Sequence, residues 1–120
     1  MDRPSVCKEN RRHPRVPINL PLNFRMIHNP NVGPGFVLNA SEAGVLIQTF
    51  KDMPIGTRID IEVLFPKGVA FADFRAVAAI VWKDTYLWED WEGYQYGLKF
   101  IQILDEDHIK LKLFLNNQSN

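Results

Sequence analysis

From Val16 to Met26 the chain alternates without a break. Val16, Ile18, Leu20, Leu22, Phe24 and Met26 share one parity, and Pro17, Asn19, Pro21, Asn23 and Arg25 share the other. Period two predicts a strand with one buried face. Its two prolines remove ladder donors, so either this strand is at an edge or its first half joins the sheet late. Residues 28–35, His-Asn-Pro-Asn-Val-Gly-Pro-Gly, are dense in turn formers and predict a reversal before the apolar run Phe36-Val37-Leu38. Asn39 to Gly44 interrupts the pattern as a short connection, and Val45 to Thr49 resumes it. After a turn at Met53-Pro54-Ile55-Gly56, Ile59, Ile61, Val63 and Phe65 alternate with Arg58, Asp60 and Glu62 in the most regular half-buried strand of the chain. Pro66-Lys67-Gly68 turns it back into a run from Phe71 to Trp82, where Phe74, Ala76, Ala78, Ile80 and Trp82 share one parity.

Asp84 to Gln95 is acidic and aromatic, with Tyr86, Trp88, Trp91 and Tyr94 in no regular period, and is read as a long hairpin loop with ragged strand ends. Tyr94, Tyr96, Leu98 and Phe100 then alternate again. A helix is expected from Asp105, with Asp105 as a cap and Glu106 and Asp107 at the positive end of its dipole. Ile109/Leu113 and Leu111/Leu115 are i,i+4 pairs, although the same four residues alternate as a final strand would. Short strands at even spacing, Gly/Pro turns and one terminal helix describe an all-β fold: a six-stranded antiparallel β-barrel plus a C-terminal α-helix. Residues 1–10 are expected as a flexible arm, 11–116 as the barrel domain with its helix, and 117–120 as a tail.

Composition narrows the function. A chain of 120 residues suits one domain that buries roughly two-thirds of its unfolded surface without metal or disulfide staples. Cys7 is the single cysteine and has no CxxC or Cys/His spacing, so a reducing cytoplasm is the expected compartment. No stretch predicts a signal peptide or membrane insertion. Fourteen basic and fourteen acidic residues cancel, which speaks against a binder of nucleic-acid polymers. The distribution is uneven, however. Arg3, Lys8, Arg11, Arg12 and Arg15 crowd the N-terminus, while seven of the acids, from Asp84 to Asp107, gather toward the other end. His13, His28 and His108 have no metal-ligand spacing, and Ser41 has no GxSxG context, so neither a metal, nor a cofactor, nor an enzyme is expected.

The N-terminal cations include Arg11-Arg12-His13-Pro14-Arg15. Arginine can clamp a phosphate bidentately, reach the O6 and N7 of guanine, or stack on a base. An RxxxR alone reads more simply as a solvated basic leader, and Asn39-x-Ser41-x-x-Gly44 alone as an ordinary turn. Together and in this order, the two resemble the paired RxxxR and [D/N]xSxxG signature of the PilZ domain family. Gly56, Val81-Trp82, Tyr96-Gly97-Leu98-Lys99-Phe100 and the apolar closing helix extend the likeness from Arg11 to Leu115. The resemblance implies a β-barrel that binds the second messenger cyclic di-GMP between an N-terminal arm and the barrel. Arg11 and Arg15 would hold phosphate and guanine, with Arg12 as a further contact, and Asn39, Ser41 and Gly44 would form the barrel side. Asn39 stands where many members have Asp, exchanging a carboxylate acceptor for a donor and an acceptor. Trp82 could offer a stacking face, although its parity assigns it to the core. The expected role is a receptor, monomeric or weakly dimeric, that signals to a downstream protein. The competing reading is an interaction module of the same fold that works through its acidic aromatic loop.

Overall fold

The computed structural model describes residues 15–27, 29–67, 69–88 and 90–118. Six strands and one helix follow in order: β1 (Val16–Met26), β2 (Asn29–Ala40), β3 (Gly44–Thr49), β4 (Arg58–Lys67), β5 (Ala70–Trp88), β6 (Trp91–Gln102) and α1 (Asp105–Gln118). The strands close into an antiparallel barrel in the order β1-β2-β3-β6-β5-β4, with β4 pairing back to β1. Among the described residues, no helix is long and apolar enough to cross a membrane.

The alternation of β1 is realised: Val16, Leu22 and Phe24 are buried, and Pro17, Asn19, Pro21, Asn23 and Arg25 are exposed. Its proline-bearing half pairs only with β2, and the ladder to β4 begins at Leu22↔Val63. The expectation of a late-joining first half therefore holds.

Three stretches depart from the sequence reading. The Gly/Pro-rich residues 29–35 are strand rather than turn, because the hairpin already reverses between Met26 and Asn29. The glycines serve close approach instead: a Cβ on Gly33 would lie 2.6 Å from the Phe24 ring, and one on Gly35 would lie 2.8 Å from the Gln48 carbonyl oxygen. Asp84–Gln95 is not a loop either. The ladder runs down to Trp88↔Trp91, making β5 and β6 a tight hairpin. Its pattern lacks a period because β3 stops pairing at Thr49↔Tyr94 and β4 stops at Arg58↔Ala79, so the tip is a two-stranded ribbon with no barrel interior to enforce alternation. Lastly, Asp105 is the first helical residue rather than the cap, since the His108 N–H bonds the Leu104 carbonyl at 2.9 Å.

Helix wins over a final strand at the C-terminus because Leu111, Phe114 and Leu115 bury one stripe while Ile109 and Leu113 stay exposed. Phe114 packs its ring 5.2 Å from Phe65, and the buried Asp107 carboxylate accepts the Arg75 N–H at 3.1 Å. Toward the other end of β6, Tyr96 is fully buried and ties down the connection before β4. Its hydroxyl donates to the Lys51 carbonyl and accepts from the Met53 N–H, both at 2.7 Å. Burial, the largest influence, raises the phenol above its ordinary value and keeps it a donor at neutral pH. Tyr96→Phe strands a buried N–H, and we expect a loss of about 1–3 kcal/mol in urea unfolding. An unchanged midpoint would show that this connection contributes nothing to stability.

Candidate functional site

Residues 24 apart in sequence meet because β1 and β2 are antiparallel with Pro17 opposite Asn39. That register brings Arg15, immediately before β1, alongside the C-terminal end of β2. The Arg15 guanidinium donates from Nη1 to the Asn39 Oδ1 at 2.8 Å. Arg11 and Arg12 lie outside the described residues.

The connection assigned to Asn39–Gly44 is shorter than expected. Asn39 and Ala40 end β2, Gly44 opens β3, and only Ser41 to Ala43 turn. The Ser41 N–H bonds the Gly44 carbonyl at 2.9 Å, and the Ser41 hydroxyl, on a side chain only 3% exposed, accepts from the Ala43 N–H at 3.1 Å. Serine here shapes its own turn. The Phe100 N–H donates to the Ala43 carbonyl at 2.9 Å and fastens the turn to β6, while Glu42 faces His108 of α1 at 3.7 Å. Gly44 is required by contact: a Cβ would lie 2.0 Å from the Leu98 carbonyl oxygen.

Trp82 corrects its sequence assignment. The β5–β6 register shifts between Ile80↔Leu98 and Trp82↔Gly97, so β5 carries one extra residue at Val81. A bulge of this kind re-aims every side chain beyond it. Ile80 stays buried, whereas Trp82 turns outward and is 45% exposed. Its indole joins Arg15, Asn39, Ser41, Gly44 and Lys99 around a cleft of about 670 Å³ whose described lining contains no carboxylate. Sequence reasoning missed the orientation of Trp82, which parity cannot show across a bulge. It also passed over Lys99, visible only as an outward position in the alternation of β6.

A groove of about 710 Å³ on the β1–β4–β5 face contains none of the candidate binding residues read from the sequence. Its charges are satisfied internally, Arg25 with Asp60 at 3.7 Å and Arg75 with Glu62 at 3.2 Å, which leaves the smaller cleft as the electropositive one. Among the described residues, no group of three or more His, Cys, Asp or Glu could hold a metal ion.

Comparisons with known proteins agree with this fold. The family model described as the PilZ domain matches residues 9–117. No curated protein sequence matches the chain. Among solved structures, the chain is similar to the PilZ domain of YcgR from Escherichia coli with c-di-GMP, at a TM-score of 0.70 and 13% identity over 92% of each chain. It is similar to the inhibitor of motility MotI/DgrA from Bacillus subtilis, at a TM-score of 0.74 and 12% identity over 92% of this chain and 51% of that one. It is also similar to the PlzA protein of Borreliella burgdorferi in complex with c-di-GMP, at a TM-score of 0.59 and 13% identity over 91% of this chain and 54% of that one. The chain thus spans about half the length of MotI/DgrA and of PlzA. At such identities the likeness is one of fold.

Proposed function

Since the chain belongs to the PilZ domain family, we propose that it is a cyclic di-GMP receptor, not an enzyme, and that the cleft at the β2–β3 turn is its binding site. The observation that carries this reading is the Arg15 guanidinium held at 2.8 Å by Asn39 on the rim of a cleft with no carboxylate among its described lining residues and beside an exposed indole. Cyclic di-GMP brings two phosphodiesters and two guanines, so it needs cationic forks and flat faces together. Arginine provides both, and indole the second. A cleft of about 670 Å³ is of ligand size.

Asn39 and Ser41 hold the barrel side of the site, and Gly44 keeps the turn low enough for a flat ligand to lie on it. Arg11 and Arg12 complete the clamp from the preceding segment. Arg11 is four residues before Arg15, and four residues reach at most about 14 Å, so Arg11 can return over the same cleft. Binding that bridges this segment and the barrel favours the closed arrangement over the open one. The closed surface is then what a downstream protein reads.

Isothermal titration of the full chain with cyclic di-GMP tests the reading. Saturable binding at micromolar affinity or tighter is expected, with a stoichiometry that counts the ligands in the site. No heat at micromolar protein would overturn it. Stacking on an aromatic ring is worth about 1–3 kcal/mol per base, so Trp82→Ala is expected to weaken binding by roughly ten- to a hundredfold at unchanged melting temperature. Affinity equal to wild type would remove the indole from the site.

A further inference from the structure

Neither sequence motif contains Lys99, yet its place on the barrel sets it apart. On β6 it stands between Gly44 of β3 and Ala79 of β5. One neighbour has no side chain and the other only a methyl group, so neither adjacent strand covers the outer face here, and Lys99 is exposed. Two residues earlier on the same face, Gly97 is in register with Leu46 on one side and Trp82 on the other. Glycine at both Gly44 and Gly97 makes a low floor. The indole and the lysine rise from it.

Arg15 reaches the same cleft from the far side of β3, through Asn39 on β2. The strands that bear Asn39 and Lys99 are two strand spacings apart, about 10 Å, which two long side chains can span by converging on one ligand. Among the described residues lining the cleft, no Asp or Glu stands beside Lys99. A guanidinium and an ammonium on opposite sides of this floor match a ligand with two separate negative charges better than a ligand with one.

Resting on the reading of this cleft as a cyclic di-GMP site, the geometry points to Lys99 as its second cation. The Lys99 ammonium donates to a phosphodiester oxygen across β3 from the Arg15 guanidinium. It thereby favours a nucleotide with two phosphodiesters over 3′,5′-cyclic GMP, which has one.

The full chain and its Lys99→Gln and Lys99→Arg variants are titrated with cyclic di-GMP and with 3′,5′-cyclic GMP at low and high salt, and each is melted. Lys99→Gln is expected to bind cyclic di-GMP about tenfold more weakly at low salt, with a shallower salt dependence and an unchanged melting temperature, and to discriminate less against cyclic GMP. Lys99→Arg keeps the charge and should bind within about threefold of wild type. Wild-type affinity and salt dependence in Lys99→Gln would overturn the role of Lys99 while leaving the cyclic di-GMP reading in place, as would a weakening that tracks a lowered melting temperature. A wild-type chain that binds no cyclic di-GMP would bring down both.

Discussion

Arg15→Ala is expected to weaken cyclic di-GMP binding at least a hundredfold while leaving the fold nearly intact. Arg15 is exposed, and its guanidinium is already held by Asn39 at 2.8 Å in the free protein, so part of the entropy of ordering a long side chain is lost before the ligand arrives. Each charge-assisted hydrogen bond to the ligand contributes about 1.5–3 kcal/mol, and a fork that makes two of them spans a hundredfold or more. The substitution costs the fold little, because the residue precedes β1 and an exposed polar contact is worth at most about 1 kcal/mol. Titration alongside thermal melting separates the two effects: affinity should collapse while the melting temperature moves by only a few degrees. Arg15→Lys keeps a point charge without the planar fork and should fall between the two. Wild-type affinity in Arg15→Ala would refute the cleft as the binding site.

Gly44→Ala is expected to act through the fold and through the site together. A methyl group at this position would lie 2.0 Å from the Leu98 carbonyl oxygen, 3.1 Å from its carbon and 3.3 Å from the Lys99 Cα. All three atoms are backbone, so no rotamer change relieves the contact. β6 cannot easily retreat, because Leu98 and Lys99 are also laddered to Ile80 and Ala79 of β5. β3 must lift at its first pair, which opens the ladder and tilts the Ser41–Ala43 turn away from the cleft. A cost of about 3 kcal/mol is expected, at the upper end for overpacking, which lowers the melting temperature by roughly 10 °C in a domain of this size. Ligand binding should be lost even at temperatures where the variant is folded. Melting and titration both indistinguishable from wild type would show that β3 lifts freely.

Much of this architecture is legible without coordinates. Strict alternation from Val16 to Met26 and from Arg58 to Phe65 becomes β1 and β4 because a barrel wall has one wet and one dry face, and period two has no other stable use there. Of the two motifs that carry the family resemblance, Arg15, Asn39, Ser41 and Gly44 meet around one cleft. Legibility ends where one residue's role depends on a distant strand. Gly33 and Gly35 read as turn formers, since sequence cannot tell a glycine that bends the chain from one that makes room for Phe24 or for the Gln48 backbone. The acidic aromatic stretch reads as a loop because its strands outrun their partners and no barrel interior imposes a period on them.

What the sequence by itself determined is the alternation that builds β1 and β4 and the family to which both motifs belong, all local or nearly local in the chain. Only the tertiary structure decided what surrounds the cleft. The β1–β2 register carried Arg15 to Asn39, and a single extra residue at Val81 turned Trp82 from the core to the surface. Strand neighbours as small as Gly44 and Ala79 left Lys99 uncovered. Each of these follows from pairing between strands far apart in sequence, where a shift of one position reverses the face a side chain presents.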